Sequence, residues 1–135
     1  MNAQKQYRAF LTDIGKNPNN VPNPLTREVV IAETRELAWE LAEKYVMVNY
    51  RDEYGGGWKH PLIGSQDKTP VALDSLSEDR FIVGNPDDCI AQIKRFVETF
   101  GVDHLICRLY FAGMPHDHIM NELKLLSKEV FPAFR

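Results

Sequence analysis

The chain has 135 residues and a formal net charge of −3, and 44% of its residues are hydrophobic. This length suits one domain with its own hydrophobic core. The acidic balance excludes a general attraction to nucleic acid or to an anionic membrane surface. No apolar run approaches the ~20 residues of a membrane span, and the first ten residues lack the apolar core of a secretory signal. We therefore expect a cytoplasmic protein with neither nucleic-acid nor membrane partners.

The first part of the chain predicts a helix, a loop, a strand and a second helix. Residues 3–14 carry apolar side chains at helical spacing, and Gly15 ends the run. A loop rich in Asn and Pro extends to Arg27. Residues 28–33 predict a strand, and its residues 29–32 form an unbroken apolar run, which is typical of a strand that is covered on both faces. Thr34 then caps an amphipathic helix of about four turns.

The regular pattern stops between residues 49 and 79. This stretch contains three consecutive glycines, then Pro61, Gly64 and Pro70 at irregular spacing, and a Ser/Asp-rich exit. Loops this long inside a compact domain are uncommon, and they are often active-site lids. Four aromatic residues near its start argue against simple disorder, because aromatic side chains tend to pack over a surface. We therefore predict a lid-like insertion over about 49–79.

Residues 80–111 predict a βαβ unit, which requires a parallel sheet. The turn Gly84-Asn85-Pro86 begins a helix with acidic residues at its positive end, and Gly101 ends it. Helix N-termini also bind phosphate. Here Pro86 removes one donor and the acidic residues repel a phosphate, so a self-capped helix is favoured. Cys89 and Cys107 lie in apolar patterns and are expected to be reduced, buried hydrophobic residues.

The final helix is predicted to bury Ile119, Leu123, Leu126 and Val130, and Pro132 lies at its end. Three strands that are each followed by a helix are too few to close a barrel, because a full (βα)₈ barrel takes ~250 residues. The chain is therefore either a small open α/β sheet or the last part of a larger α/β protein. The histidine spacing favours no metal site.

Several segments together resemble the C-terminal portion of luciferase-like flavin-dependent monooxygenases. They are VVIAET, the helix ELAWELAEK, the segment FIVGNPDDCIAQIKRF, the segment GVDHLICRLYFAGMPH and the final EVFPAFR. The strand, the G-x-P turn with two acidic residues and the later G-V-D-H-L are each generic, but their order and spacing are fairly specific. The resemblance covers nearly the whole chain.

This resemblance implies an α/β chain that forms the last three βα units, strands six to eight, of a TIM (βα)₈ barrel. Residues 1–135 would be one partial barrel domain. The reaction would insert oxygen into a small organic substrate with reduced FMN and O₂, or use the deazaflavin F420 to transfer hydride. A lid would exclude water. The first five βα units are absent, so we expect that this chain does not form a complete active site. The chain would be a natural truncation, an incomplete sequence or half of a split enzyme.

Arg108 is the sharpest candidate for cofactor binding. It shares a strand face with Ile106 and Tyr110, opposite to the face of Leu105, Cys107 and Leu109. In a barrel the first face points inward near the carboxyl end, where barrel enzymes place their chemistry. A guanidinium there holds a flavin or substrate anion bidentately. The alternative is a structural ion pair with Glu28 or Glu33.

The predicted lid supplies further candidates for contact with an anionic substrate: Arg51, Trp58, Lys59, His60 and, just behind the lid, Arg80. The alternative is that these residues only keep a loop soluble. No motif of a hydrolase, an NTPase or a zinc protein is present.

Three functional interpretations stay open. The first is a segment of a flavin-dependent oxidoreductase, and the second is a non-catalytic α/β interaction module or remnant stabilised by association. The third is an independent small enzyme with a crevice at the carboxyl ends of an open sheet. Exposed sheet edges and an exposed inward face lead us to expect a homo-oligomer or a partner that completes the barrel.

Overall fold

A computed structural model describes residues 2–53, 72–77 and 80–135. A sheet of three parallel strands forms its centre, in the spatial order β2-β1-β3. The strands are β1 (Pro24–Ile31), β2 (Phe81–Gly84) and β3 (His104–Arg108). The helices are α1 (Asn2–Asp13), α2 (Arg35–Leu41), α3 (Leu73–Ser77), α4 (Pro86–Phe100) and α5 (His116–Leu125). Helical turns over Ala42–Val46 and Leu126–Val130 prolong α2 and α5.

The middle strand, β1, pairs with its two neighbours at staggered positions. Its residues 28–31 lie opposite residues 81–84 of β2, and its residues 24–28 lie opposite residues 104–108 of β3. Three consecutive strands of a βα barrel would lie side by side in chain order, with β2 in the middle. The observed order differs from that expectation. The eight residues of β1 give it room for both neighbours, whereas β2 has only four.

The carboxyl half of the sheet lies between two apolar layers. Alternate side chains of β1 and β2 enter opposite layers, as the two-residue period of a strand requires. One layer joins α2 and the turns after it to Val30, Ala32, Phe81 and Val83. The other joins α4 and α5 to Val29, Ile31 and Ile82. The apolar run of β1 is thus covered on both faces, as predicted, and each such buried side chain contributes about 1.5–3 kcal/mol.

Among the described residues, side chains cover the amino half of the sheet on one face only. Leu105, Cys107 and Leu109 pack against the layer of α4 and α5. On the other face Ile106 is 45% exposed and Tyr110 is 71% exposed. The predicted division of this strand into two faces is therefore confirmed, although regular β3 ends at Arg108 and not at the predicted residue 111.

Helix α4 begins with the self-capped turn that the sequence predicts. The Asn85 side chain accepts a hydrogen bond from the Asp88 N–H at 3.0 Å, and the Asp88 carboxylate accepts one from the Asn85 N–H at 3.2 Å. Gly84 has a φ of 151°, and a Cβ there would lie 2.4 Å from the Asp88 side chain. A residue with a side chain at position 84 would displace this cap.

The start of β1 is fastened to the end of α4 by Asn23. This buried side chain donates hydrogen bonds to the carbonyl oxygens of Phe100 and Gly101, at 2.9 and 2.8 Å. Its own N–H donates to the Asp103 carboxylate at 2.8 Å. These bonds explain why β1 starts at Pro24, inside the predicted loop: pairing with β3 overrides local sequence, and proline is tolerated as the first residue of a strand.

Helix α5 buries a different face from the predicted one. Leu126 and Val130 are buried as expected, but Leu123 is 44% exposed and Glu122 is only 1% exposed. Glu122 and Leu126 are four residues apart, as on one face of a regular helix, so the buried face includes position 122 and not position 123. Glu122 Oε1 accepts a hydrogen bond from the Ile31 N–H at 3.2 Å, and burial raises the pKa of this carboxyl to about 8.

The predicted lid is partly helical where the structure describes it. Residues Asn49–Glu53 form a helical turn and Leu73–Ser77 form α3. Residues 54–71 and 78–79, and with them most of the predicted lid, lie outside the described residues. Within the described residues, no helix combines the length and apolar character needed to cross a membrane.

Replacing Asn23 by alanine should lower the free energy of unfolding by about 1–3 kcal/mol, because the carbonyl groups of Phe100 and Gly101 lose the donor that the buried Asn23 side chain supplies. Denaturant titration measures the change as a shift of the midpoint at constant slope. Asn20→Ala is the matched control, since Asn20 is exposed. An equal midpoint for the two variants would contradict this account of β1.

Glu122 should make the protein less stable as the pH rises. Its pKa of about 8 in the folded chain lies above the ordinary value of 4.5, so between these values the folded chain holds a proton that the unfolded chain has lost. Stability should fall across this window, by at most about 1.4 kcal/mol per pH unit. Denaturation at several pH values should show a flatter profile for Glu122→Gln, whereas the exposed control Glu129→Gln should keep the wild-type slope. A wild-type slope in both variants would refute the assignment.

Candidate functional site

Arg108 lies at the carboxyl end of β3, directly opposite Glu28 of β1. Paired residues of neighbouring strands share a face of the sheet, so the two side chains meet. Arg108 Nη1 lies 3.2 Å from Glu28 Oε1. Of the two acidic partners that the sequence suggests for an ion pair, the structure selects Glu28.

A second donor holds the same carboxylate. The hydroxyl of Tyr50 donates a hydrogen bond to Glu28 Oε1 at 2.9 Å. The Tyr50 ring in turn packs edge-on against Phe81 of β2, with ring centroids 5.1 Å apart. Glu28 is therefore positioned by both neighbouring strands and by the helical turn Asn49–Glu53, which contains Tyr50. The buried carboxylate gives Arg108 a fixed anchor.

Arg108 itself faces solvent beyond this anchor. Its side chain is 56% exposed, while that of Glu28 is 11% exposed. A guanidinium has five N–H donors, and the contact with Glu28 engages Nη1 alone. The guanidinium carbon also lies 6.0 Å from the centroid of the Phe111 ring. The remaining donors are available to hold an anionic group bidentately, next to the exposed ring of Tyr110.

The candidate residues of the lid are not brought to Arg108 by the part of the chain that the structure describes. Arg51 forms an ion pair with Glu43. Arg80 lies in the turn before β2, where its N–H donates to the Ser77 carbonyl at 3.3 Å. The other three candidates, Trp58, Lys59 and His60, lie outside the described residues.

The acidic start of α4 binds a cation from α2 and not a phosphate. Arg35 Nε donates to Asp88 Oδ2 at 2.9 Å, and Arg35 Nη2 pairs with the second oxygen. The hydrogen bond from Arg35 holds the pKa of the Asp88 carboxyl below its usual value. A hollow of about 340 Å³ beside this pair is lined by Trp39, Phe81 and Gln92. Arg108 does not line it.

Thiol and metal chemistry receive no support from the described residues. Burial raises the pKa of the Cys89 thiol to about 12 and also raises that of Cys107. Thiols with raised pKa values are poor nucleophiles at neutral pH. No group of three or more His, Cys, Asp and Glu side chains in the described ranges could hold a metal ion.

Two residues of this region were not predicted from the sequence. Tyr50 is one of the four aromatic residues near the start of the predicted lid, and no periodicity in the sequence marks it as the partner of a carboxylate. Glu122 is not among the residues predicted to be buried in α5, because a charged residue carries no signal of burial. The one signal in the sequence is that Leu125 and Leu126 lie three and four residues after Glu122, on the same face of the helix.

No protein-family model matches this chain, and no curated protein matches it. Solved structures do match it, among them three monooxygenases. The monooxygenase RslO1 from Streptomyces bottropensis shares 17% identity over 98% of this chain, with a TM-score of 0.73. The oxygenating constituent of 3,6-diketocamphane monooxygenase from the CAM plasmid of Pseudomonas putida, a type II Baeyer-Villiger monooxygenase in complex with FMN, shares 19% identity over 96%, with a TM-score of 0.68. The long-chain alkane monooxygenase LadA shares 18% over 96%, with a TM-score of 0.58.

This chain spans only 37%, 38% and 33% of the lengths of those three chains. The three structures are luciferase-like flavin-dependent monooxygenases. At 17–19% identity the likeness shows the fold. The resemblance predicted from the sequence motifs is therefore confirmed at that level: this α/β chain has the fold of a part of a luciferase-like monooxygenase barrel.

Proposed function

We propose that this chain is the C-terminal part of a luciferase-like flavin-dependent monooxygenase that inserts oxygen into a small organic substrate with reduced FMN and O₂. The observation that carries the proposal is the match of 96–98% of the chain to three monooxygenases. The FMN in one of those structures supports FMN over the deazaflavin F420 as the cofactor.

In this proposal the chain contributes two neighbouring barrel strands, β1 and β3. They pair directly along residues 24–28 and 104–108, as neighbouring strands of a parallel barrel do. The short β2 pairs only with the carboxyl half of β1, so it is an added strand beside the barrel's carboxyl end. This assignment replaces the expectation of three consecutive barrel strands.

Arg108 is the residue that we propose to contact the flavin or the substrate. When bound, reduced flavin supplies the electrons that activate O₂. Arg108 would hold an anionic group through its solvent-facing donors, while Glu28 and Tyr50 keep the guanidinium in one position. The position at the carboxyl end of β3 agrees with the end of the barrel at which such enzymes work.

The described residues fit one edge of such a ligand and not a whole binding site. They supply one exposed guanidinium with aromatic rings beside it. A flavin site also needs groups for the ring and the phosphate, which we assign to a further part of the enzyme. We therefore propose that the 135-residue chain alone is inactive as a monooxygenase.

A second candidate function is a non-catalytic α/β module that is stabilised by association. The ion pair between Arg108 and Glu28 favours it, because it is the structural alternative to a ligand-binding arginine. Exposed apolar side chains on the open face of the sheet, such as Ile106 and Tyr110, also fit a surface that another polypeptide covers.

FMN binding separates the two candidates. Because the chain supplies only one edge of the site, FMN should bind it weakly, and titration at a high concentration of the purified chain should quench flavin fluorescence. Arg108→Ala should weaken this binding by about tenfold or more, because a charged hydrogen bond contributes about 1.5–3 kcal/mol. Arg8→Ala, on α1, is the control and should bind FMN as the wild type does.

Arg108→Ala also leaves the Glu28 carboxylate buried without its cation, which destabilises the fold. The double variant Glu28→Gln/Arg108→Ala removes that buried charge, and circular dichroism checks that it is folded. A folded wild-type chain that leaves FMN fluorescence unchanged would reject the flavin contact at Arg108 and favour the non-catalytic module.

A further inference from the structure

Glu122 of α5 connects this helix to the end of β1. Its Oε1 atom accepts a hydrogen bond from the Ile31 N–H at 3.2 Å, and Ile31 is the last residue of β1. The preceding residue of α5, Asn121, donates through Nδ2 to Glu33 Oε1 at 3.0 Å. Two neighbouring residues of α5 therefore hold the helix against the end of the strand and the segment that follows it.

The carboxyl group of Glu122 is buried without a cation. Glu122 is only 1% exposed. Its second oxygen, Oε2, is also buried, and no described residue gives it a hydrogen bond. No ion pair in the described ranges reaches this side chain. An ionised carboxylate in such surroundings is costly, so the group either keeps its proton or gains access to water.

The titratable groups around Glu122 do not supply the charge that would stabilise its carboxylate. The thiols of Cys89 and Cys107 lie in the same apolar layer, and burial raises the pKa of both, so they are uncharged at mildly alkaline pH. Glu33, beyond the end of β1, is itself an acid, and His118 lies one turn before Glu122 on α5. Burial therefore dominates, and it raises the pKa of the Glu122 carboxyl to about 8.

The first turns of α5 have few other buried attachments. Within this helix, which the structure describes throughout, the buried side chains are those of Glu122 and Leu125. Pro115 occupies the N-cap position, and no side chain caps the first N–H groups of the helix. Gly113, two residues earlier, has a φ of 81° in the turn that leads into it. Loss of the Glu122 contact would therefore release the start of α5, while Leu125 and the residues after it stay packed.

We propose that Glu122 is a pH-sensitive switch: the uncharged carboxyl holds the first turns of α5 against the end of β1, and loss of its proton at mildly alkaline pH releases them. Local opening lets water reach the carboxylate, and it costs less free energy than unfolding of the whole chain. The groups involved are all buried or bonded within the chain, so the switch does not depend on flavin chemistry. In the proposed barrel it would loosen the carboxyl end of β1, the end at which such enzymes work.

Nuclear magnetic resonance of the 135-residue chain, titrated from neutral to alkaline pH, tests the switch. The carboxyl carbon of Glu122 reports the protonation of its side chain, and backbone carbon shifts report helix content residue by residue. Glu122 should titrate near pH 8. Residues 116–123 should lose their helical shifts at the same midpoint, and the Ile31 N–H should lose its protection from hydrogen exchange, while α4 keeps its helical shifts.

Two glutamine variants separate Glu122 from the other titratable groups. Glu122→Gln keeps an acceptor for the Ile31 N–H and cannot ionise, so its α5 should stay helical throughout the titration. Glu129→Gln is the matched control, since Glu129 is exposed in the helical turn that prolongs α5, and it should open as the wild type does. His118 is present in both variants, so its titration cannot explain a difference between them.

An α5 that stays helical while Glu122 loses its proton would overturn the proposal. So would titration of Glu122 near the ordinary value of 4.5, or an opening that persists in Glu122→Gln. Joint loss of α4 and α5 would also overturn it, because that result is unfolding of the whole chain. If the glutamine variant fails to fold, the wild-type titration decides, because it shows whether α5 opens at the midpoint of Glu122.

Discussion

The staggered pairing of β1 determines the rest of the structure. Its amino half binds β3 and its carboxyl half binds β2, and Glu28 lies where the two pairings meet. In the part of the chain that the structure describes, helices pack on both faces of the carboxyl half of the sheet and on one face of the amino half. On the less covered face the Arg108 side chain is 56% exposed. A strand of ordinary length, about five or six residues, could not have served both neighbours.

The contact between Arg108 and Glu28 shows how a structural ion pair and a binding group coexist. The carboxylate is largely buried and receives both Arg108 and Tyr50 through one oxygen. The guanidinium is more than half exposed. The buried partner fixes the position of the cation, and the exposed donors keep their capacity for an anion. A side chain that is already fixed loses less conformational entropy when a ligand binds. The two interpretations of Arg108 therefore describe different atoms of the same residue.

Local signals in the sequence predicted the helix ends and the faces of the strands well. The features that they did not predict depend on pairing between residues that are distant in the chain. The cap at Asn85, the glycine stop at Gly101 and the two faces of β3 depend on residues close together in the chain, and all three are found. The start of β1 was placed four residues too late, because its first half is extended only through contact with β3, which lies some 80 residues away. The strand order depends equally on distant pairing. The burial of Glu122 on α5 could not be predicted either, because a charged residue in a helix is ordinarily exposed.

Gln92 carries a consequence for the chemical ageing of this protein. Its side-chain nitrogen donates to the carbonyl oxygens of both Val83 and Asp88, each at 3.0 Å, while its oxygen accepts from Val83. Deamidation to glutamate would keep the acceptor and remove both donors, and it would place a negative charge against two carbonyl oxygens. The edge of β2 would then be exposed without any change of backbone sequence. Hydrolysis of this one side-chain amide would thus leave backbone groups at the outer edge of β2 available to pair with another strand.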